Sequence, residues 1–503
     1  MPIPLTVSDF AYRARLVHRD RLAVVDEPGV PGALGRLTYG ELLARADGMA
    51  AELDRMGVAA GARVAIVSPN SAKFLVALLA TLTTGRVLVP VNFRLAAAEV
   101  AFIVGDAEAE VVLIDPELDG ALRTVGAVHR IVMDGEADAA LFAPGGEGAE
   151  RPEVPEDAPA TINYTSGTTA DPKGVVLTHR QHWVNAVTFG WELGLAEQDV
   201  YLHTLPQFHV NGWGMPLATA AMGVPNVIVR TVRGDEILRR VDAEGVTLLC
   251  GASAVVATIA EAAEALAGSG AAVPGAGRVR MVSGGAATPA AVIERFERLT
   301  GWEMIHAYGL TETAPVLTVN RVPARDGLDG AQRAERLTRA GAPLLGVRLQ
   351  VDEDGELLAR SAKVFDGYWG RPDLTARAMR DGGWLATGDG AELTDGSVRI
   401  TDRKKDVIIT GGENVSSLEV EGCLHRHPAV ADAAVIGLPH ERWGETPHAV
   451  VVLRDGETAG EDELIAFCRE HLTHFKCPTS IAFRDELPRT ATGKVQKYRL
   501  REE

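Results

Sequence analysis

Short apolar runs alternate with helix-patterned segments along most of this chain, and that alternation limits the folds open to it. Thr38-Tyr39-Gly40-Glu41 opens a helix with a Thr-x-x-Glu capping box. Residues 63–68 (RVAIVS) form a strand ended by Pro69-Asn70, and residues 110–114 (EVVLI) form another. Further strands are expected at 160–163, 226–229, 246–249, 279–283 and 304–307, with a helix of mostly Ala and Glu at 260–266. Strands alternating with helices imply an α/β fold, a mainly parallel sheet covered on both faces. The apolar stretch 74–91 contains Thr81, Thr83, Thr84, Gly85, Arg86 and Pro90. A membrane span needs ~20 apolar residues, so the stretch reads as a buried helix (74–82), a glycine stop and a strand (87–91). Residues 135–159 read as a solvated loop, and residues 321–340 as an exposed excursion.

At 503 residues the chain exceeds one ordinary domain. Its texture changes near 400, where a strand (397–401) runs into the charge cluster Asp402-Arg403-Lys404-Lys405-Asp406. Beyond it lies an α+β module. A helix starts at Ser417 behind Ser416-x-x-Glu419, strands follow at 433–436 and 448–453, then a helix at 461–472 and a strand at 480–483. The division expected is a large multi-layer N-terminal domain of mainly parallel sheets covered by helices, residues 1–402, and a small α+β C-terminal domain, residues 403–503. A net charge of −18, from 50 basic and 68 acidic residues, argues against sequence-independent nucleic-acid binding. Cys250, Cys423, Cys468 and Cys477 are too sparse for a disulfide framework and suit a reducing, cytoplasmic setting. The first residues already include Asp9, Arg13 and Arg15, so no signal-peptide apolar run is expected. The close pairs His179/His182, His425/His427 and His471/His474 lack matching zinc-finger partners.

Seven polar or glycine-rich stretches punctuate this frame. The first is Tyr164-Thr165-Ser166-Gly167-Thr168-Thr169-Ala170-Asp171-Pro172-Lys173-Gly174. Its hydroxyls, bare amides and one ammonium suit polyphosphate oxygens. It is not a Walker loop, because Pro172 precedes Lys173 and Gly174 follows. A polar strand-to-helix loop is the plainer alternative. The others are Leu205-Pro206-Gln207-Phe208-His209-Val210-Asn211-Gly212-Trp213-Gly214, Ser283-Gly284-Gly285-Ala286-Ala287-Thr288, and Ala307-Tyr308-Gly309-Leu310-Thr311-Glu312-Thr313. Then come Gly383-Trp384-Leu385-Ala386-Thr387-Gly388-Asp389, the cluster from Asp402 with Gly411-Gly412-Glu413-Asn414, and Pro488-Arg489-Thr490-Ala491-Thr492-Gly493-Lys494. Taken singly, each has a structural explanation: a tight turn, a core tyrosine, a helix cap, a surface lysine.

In this order, from about Thr38 to Lys497, they resemble the adenylate-forming superfamily of acyl- and aryl-CoA synthetases, luciferases and peptide-synthetase adenylation domains. The resemblance implies a large ATP- and acid-binding body and a mobile C-terminal lid. It assigns Thr165, Ser166, Gly167, Thr168, Thr169 and Lys173 to the β- and γ-phosphates of ATP. Gly285, Ala286 and Ala287 would flank adenine, and Tyr308 would stack on it. Thr311 would reach the α-phosphate. Glu312 would ligate Mg2+, which a hard carboxylate suits. Asp389, assisted by Arg403, would accept the ribose hydroxyls. Lys494 would be the catalytic lysine, and Lys405 the hinge that swings it away so that Gly411 and Gly412 admit the pantetheine of coenzyme A.

Within the superfamily, His209 with Asn211, Gly212 and Trp213 is similar to medium-chain fatty acyl- and aryl-CoA ligases, which implies an acid pocket for an uncharged acyl or aryl acid. The expected reaction joins a carboxylic acid, ATP and CoA into acyl-CoA, AMP and pyrophosphate. The alternative is an acyl-AMP ligase that passes the acyl group to a carrier protein or another nucleophile. Expected partners are a small-molecule acid and CoA or an acyl carrier protein, with no nucleic acid and no membrane span, and with a homodimer left open. The chain departs from the family pattern at Ala170, where glycine is usual, at the short hairpin 351–357, and at Gly370.

Overall fold

The structure is a computed structural model that describes residues 3–136, 138–146, 152–165, 172–323, 326–403, 406–410, 413–440, 443–490 and 494–502. Among these residues the chain builds four sheets. The first runs, in spatial order, Ala342–Pro343, Val316–Asn320, Glu303–Gly309, Arg280–Gly284, Leu248–Gly251, Tyr201–His203, Asn226–Ile228, Leu22–Val25 and Arg36–Thr38. Its middle is parallel and its edges antiparallel. The second runs Gly367–Tyr368, Lys173–Thr178, Pro159–Thr165, Val87–Val91, Arg63–Val67, Ala109–Ile114 and His129–Val132. The four strands from Val87–Val91 onward, with Pro159–Thr165, are parallel. This is the expected α/β body of mainly parallel sheets.

Helices cover and separate those sheets. Thr38 caps Tyr39–Arg55 through a complete capping box. Helix Ala72–Leu82 is buried at every position, as its apolar density predicts. It shares one core with Val64 and Leu88 of the second sheet and Val24 and Leu248 of the first. No helix among the described residues is long and apolar enough to cross a membrane.

Two loop expectations need correction. Residues 138–146 are not simply solvated: Asp138, Leu141 and Phe142 are buried. The cause is Lys73, a cation on the buried helix. Its Nζ lies 2.5 Å from Asp138 Oδ2 and 5.0 Å from the Phe142 ring centroid. A buried charge needs a partner, and the loop is drawn in to supply one. Residues 321–340 also contain more than an excursion. Asp329 caps a helix, Gly330–Leu337, that buries Ala334 and Leu337 in the same core as Ile293 and Phe296.

A third, antiparallel sheet holds Val347–Val351, Glu356–Ser361, Trp384–Thr394, Met379–Arg380 and Ser397–Arg403. The charge cluster therefore begins inside a strand, with Asp402 opposite Gly390 and Arg403 opposite Asp389. The fourth sheet comprises Glu413–Val415, Ile408–Thr410, Gly444–Leu453, Val430–His440 and Ser480–Phe483. Its hydrophobic clusters, around Ile408, Val420, Leu464 and around Ile436, Leu487, Leu500, draw only on residues from 408 onward. The small α+β unit thus has its own core.

Asp138→Ala leaves the Lys73 ammonium buried without its counter-charge. The expected cost is about 3–5 kcal/mol, measured as a lower urea midpoint for the large unit. An unchanged midpoint would mean that the pair does not hold the loop.

Candidate active site

Three sheets converge where the motifs collect. Strands Pro159–Thr165 and Lys173–Thr178 are antiparallel neighbours, with Thr165 opposite Lys173. The loop expected to hold phosphate therefore joins two strands, not a strand and a helix. Thr165 and Lys173 stand at its two feet. Ser166, Gly167, Thr168, Thr169 and the departing Ala170 lie outside the described residues. Gly174 admits nothing larger: an added Cβ would lie 2.7 Å from Ile162 and 3.2 Å from Trp369.

The Lys173 ammonium lies 5.7 Å from the Tyr368 ring centroid, within cation–π range. Tyr368 in turn donates its hydroxyl to Glu312 Oε1 at 2.8 Å. Burial first, then the Glu312 charge, pushes this phenol above its usual range, so it stays a donor. Glu312 Oε2 has no partner among the described residues, and one free hard oxygen fits a Mg2+ ligand. Glu312 follows a tight segment. An added Cβ on Gly309 would lie 1.8 Å from Pro315 O, and Phe365 N–H donates to Glu312 O at 2.8 Å. Thr311, buried, opens the short turn Thr311–Thr313.

A second tyrosine joins the first sheet to the third. Tyr308 donates to Asp389 Oδ2 at 2.7 Å, and Arg403 Nε stands 3.3 Å from Asp389 Oδ1. Asp389 is 3% exposed. A carboxylate offers about four lone-pair sites, so it can accept further hydroxyls without losing Tyr308. Burial, followed by the Asp389 charge, holds the Tyr308 phenol well above its ordinary value. Gly285 is exposed at φ +79°, and an added Cβ there would meet nothing within 4 Å. Ala286 is half-buried and Ala287 exposed. This open shelf of small residues can take a flat ring. The close backbone approach falls one residue earlier, at Gly284, where a Cβ would lie 2.5 Å from both Ala307 O and the Trp213 ring.

The segment carrying His209 has an unusual backbone. Val210, Asn211, Gly212, Trp213 and Gly214 all have positive φ, from 41° to 78°. Left-handed L-residues cost roughly 1–2 kcal/mol each, so tertiary contacts must hold this turn. Asn185 Nδ2 donates to Trp213 O at 3.0 Å, Val210 packs with Ala314 and Phe365, and Trp213 closes on Gly284. Burial lowers the His209 pKa to about 4, which keeps the imidazole neutral at physiological pH. Asn211 is 2% exposed, and neither amide atom finds a partner among the described residues. A buried amide in that state is poised for a ligand or a water.

Lys494 lies in the small unit, in a hairpin where Arg489 bridges Val495. Thr490 takes both its backbone groups: Lys494 N–H donates to Thr490 Oγ1 at 3.1 Å and Lys494 O accepts from Thr490 N–H at 2.7 Å. Lys405, Gly411 and Gly412 lie outside the described residues. Sequence reasoning missed Tyr368, Asn185 and Lys363. Lys363 is fully buried, donates to Val316 O, and has its pKa lowered to about 7 by burial. Only the adjacent aromatics Tyr368-Trp369 offered a signal for the first.

Comparisons with known proteins agree on one family. A model described as AMP-binding enzyme matches residues 11–369, and one described as AMP-binding enzyme C-terminal domain matches residues 419–494. The chain is 35% identical over 547 residues to the peroxisomal butyrate–CoA ligase AAE11 of Arabidopsis thaliana, covering 99% of this chain and 93% of that protein. It is 33% identical to the peroxisomal benzoate–CoA ligase of Arabidopsis thaliana, with the same coverages, 99% and 93%. Among solved structures it is similar to o-succinylbenzoate coenzyme A synthetase (MenE) from Bacillus subtilis in complex with ATP and magnesium ion. There the TM-score is 0.83 and identity 28%, over 98% of each chain.

Gly284→Ala is expected to displace the Trp213 indole, seen as a shift in tryptophan emission that is absent in a Trp213→Phe background. The overpacking should cost about 1–3 kcal/mol. Unaltered emission would mean that the contact is not close.

Proposed function

Because the chain belongs to the AMP-binding enzyme family and is an adenylate-forming acyl-CoA ligase using ATP, Mg2+ and CoA, we propose that its acid is a short aliphatic or aromatic monocarboxylate with no charge beyond the reacting carboxylate. The observation that carries this reading is the turn at 205–214. It contains no charged side chain, its His209 is held neutral, and its Trp213 ring is seated on Gly284. A second charge on the acid would find no counter-ion in that turn. The relatives named for butyrate and benzoate are consistent with this size class.

The residue roles proposed are those the family resemblance implies, and the contacts around Tyr308, Asp389 and Glu312 support them. Thr165 and Lys173, with the loop 166–169 between them, cradle the β- and γ-phosphates. Gly285, Ala286 and Ala287 border the adenine, and the Tyr308 ring stacks on it. Asp389 accepts the ribose hydroxyls, with Arg403 at its other oxygen. Thr311 contacts the α-phosphate, and Glu312 Oε2 would hold the metal. Bound Mg2+ supplies neutralisation of the phosphate charge. A carboxylate oxygen of the acid attacks the α-phosphorus in line, and the bond to pyrophosphate breaks. Both reactants are anionic, so positioning and a fixed positive charge carry the step. Lys494 supplies that charge as an ammonium, beside the forming P–O bond. In the second step the CoA sulfur, as thiolate, attacks the acyl carbonyl and AMP leaves.

Two domains divide this work, residues 1–402 and 403–503, as the separate cores and the separate family matches support. The small one turns about Lys405, exchanging Lys494 for the Gly411-Gly412 segment at the site. Four free, buried cysteines support a reducing compartment, the cytoplasm.

An acid panel read by pyrophosphate release, with and without CoA, tests the substrate class. Butyrate and benzoate are expected to exceed dicarboxylates such as o-succinylbenzoate at least ~100-fold in kcat/KM, because the second carboxylate would stay unpaired. Preference for a dicarboxylate would sink the proposal. Acyl transfer to a carrier protein but not to CoA would replace the acceptor, and a dimeric mass in solution would add a partner copy. Lys494→Ala should slow adenylation by about 10²–10³ and leave thioester formation from supplied acyl-adenylate near wild type.

A further inference from the structure

The seam between the two units carries a polar network that neither phosphate binding nor the acid pocket uses. Asp402, 2% exposed, lies next to the end of strand Ser397–Arg403. Its Oδ2 accepts from Ser417 N–H at 2.6 Å and from Ser417 Oγ at 2.7 Å, and its Oδ1 accepts from Arg403 N–H at 2.7 Å. Beside it Ser416 Oγ donates to Thr401 O at 2.5 Å. The Asp402–Ser417 and Thr401–Ser416 bonds cross from a strand of the third sheet to the first turn of helix Ser417–Leu424, whose Val420, Cys423 and Leu424 belong to the small unit's core.

The network continues behind Ser417. Its fully buried hydroxyl also accepts from Lys497 Nζ at 2.5 Å, and Lys497 Nζ lies 2.7 Å from Glu421 Oε1. Lys497 opens the helix Lys497–Glu502, directly after the hairpin that carries Lys494. One turn further, Arg501 pairs with Asp406 at 2.9 Å. A single serine hydroxyl thus joins a carboxylate rooted in the large unit to an ammonium that fixes the exit of the Lys494 hairpin.

We propose that Asp402, Ser417 and Lys497 form a latch that holds the small unit in one of its two working orientations, and that Lys497 is a positioning residue for Lys494. The inference rests on the two-orientation reading above. Thr401 and Asp402 precede Lys405, and Ser416 and Ser417 follow it, so rotation there must break the bonds between them. The Ser417–Lys497–Glu421 bonds lie within the small unit and travel with it. The latch therefore favours one orientation through side chains that touch no substrate, and hydrogen bonds to a carboxylate of this kind shift such an equilibrium about tenfold.

The test measures two half-reactions: acid-dependent ATP–pyrophosphate exchange, and thioester formation from supplied acyl-adenylate. Ser417→Ala and Lys497→Met are each expected to change the ratio of the two rates about tenfold, in the same direction. Lys497→Arg, which keeps the charge, should retain the wild-type ratio. Equal losses in both half-reactions, or an unchanged ratio, would overturn the latch. Lys497→Met decides the matter if Ser417→Ala does not fold. Failure of the wider reading is separable. If Lys494→Ala slows both half-reactions alike, the two-orientation scheme falls. If Lys494→Ala acts on adenylation alone while the latch variants leave the ratio unchanged, only the latch falls.

Discussion

Two hydrogen bonds from tyrosine to carboxylate hold this architecture to its chemistry. Tyr308 to Asp389 ties the first sheet to the third, and Tyr368 to Glu312 ties the second to the first. Both phenols have pKa values raised by burial and by the carboxylate itself, so both remain protonated donors. The carboxylates are thereby oriented by the protein itself, as the roles proposed for them require. Preorganised charge of this kind adds no reorganisation cost during the reaction. It also explains why three sheets, each stable through its own ladder, converge at one place.

The surroundings add strain in a controlled form. Successive left-handed residues at 210–214 are unfavourable locally and persist only because Asn185, Gly284 and Phe365 constrain them. The result is a constrained turn bearing a neutral imidazole and a buried amide with no partner among the described residues. A flexible loop of the same composition would turn its polar groups toward water and leave no defined pocket.

Much of the body was legible in the sequence because apolar density and period are local signals. Residues 74–82 and 87–91 are examples: nine consecutive buried positions and a fully buried strand leave no alternative pattern. The burial of Asp138, Leu141 and Phe142 was not legible, because it answers partners distant in the chain: Lys73, sixty-five positions before Asp138, and the core that the two apolar residues join. The helix Gly330–Leu337 was hidden by its polar surface, since only Ala334 and Leu337 face inward. The groups proposed to react stand in ordered motifs. Their supports do not: Asn185 carries no pattern of its own, Tyr368 has only its aromatic neighbour Trp369 to mark it, and both act through partners brought by the fold.

The backbone at 210–214 also bears on how new substrate preferences could arise. A library that randomises this turn samples side chains on a left-handed frame, where glycine and asparagine sit comfortably and valine or isoleucine do not. Diversity is thus filtered by dihedral compatibility before it is filtered by pocket shape. Variation at neighbouring positions without a positive φ, such as Leu205 and Phe208, escapes that filter and offers the broader evolutionary route to a resized cavity.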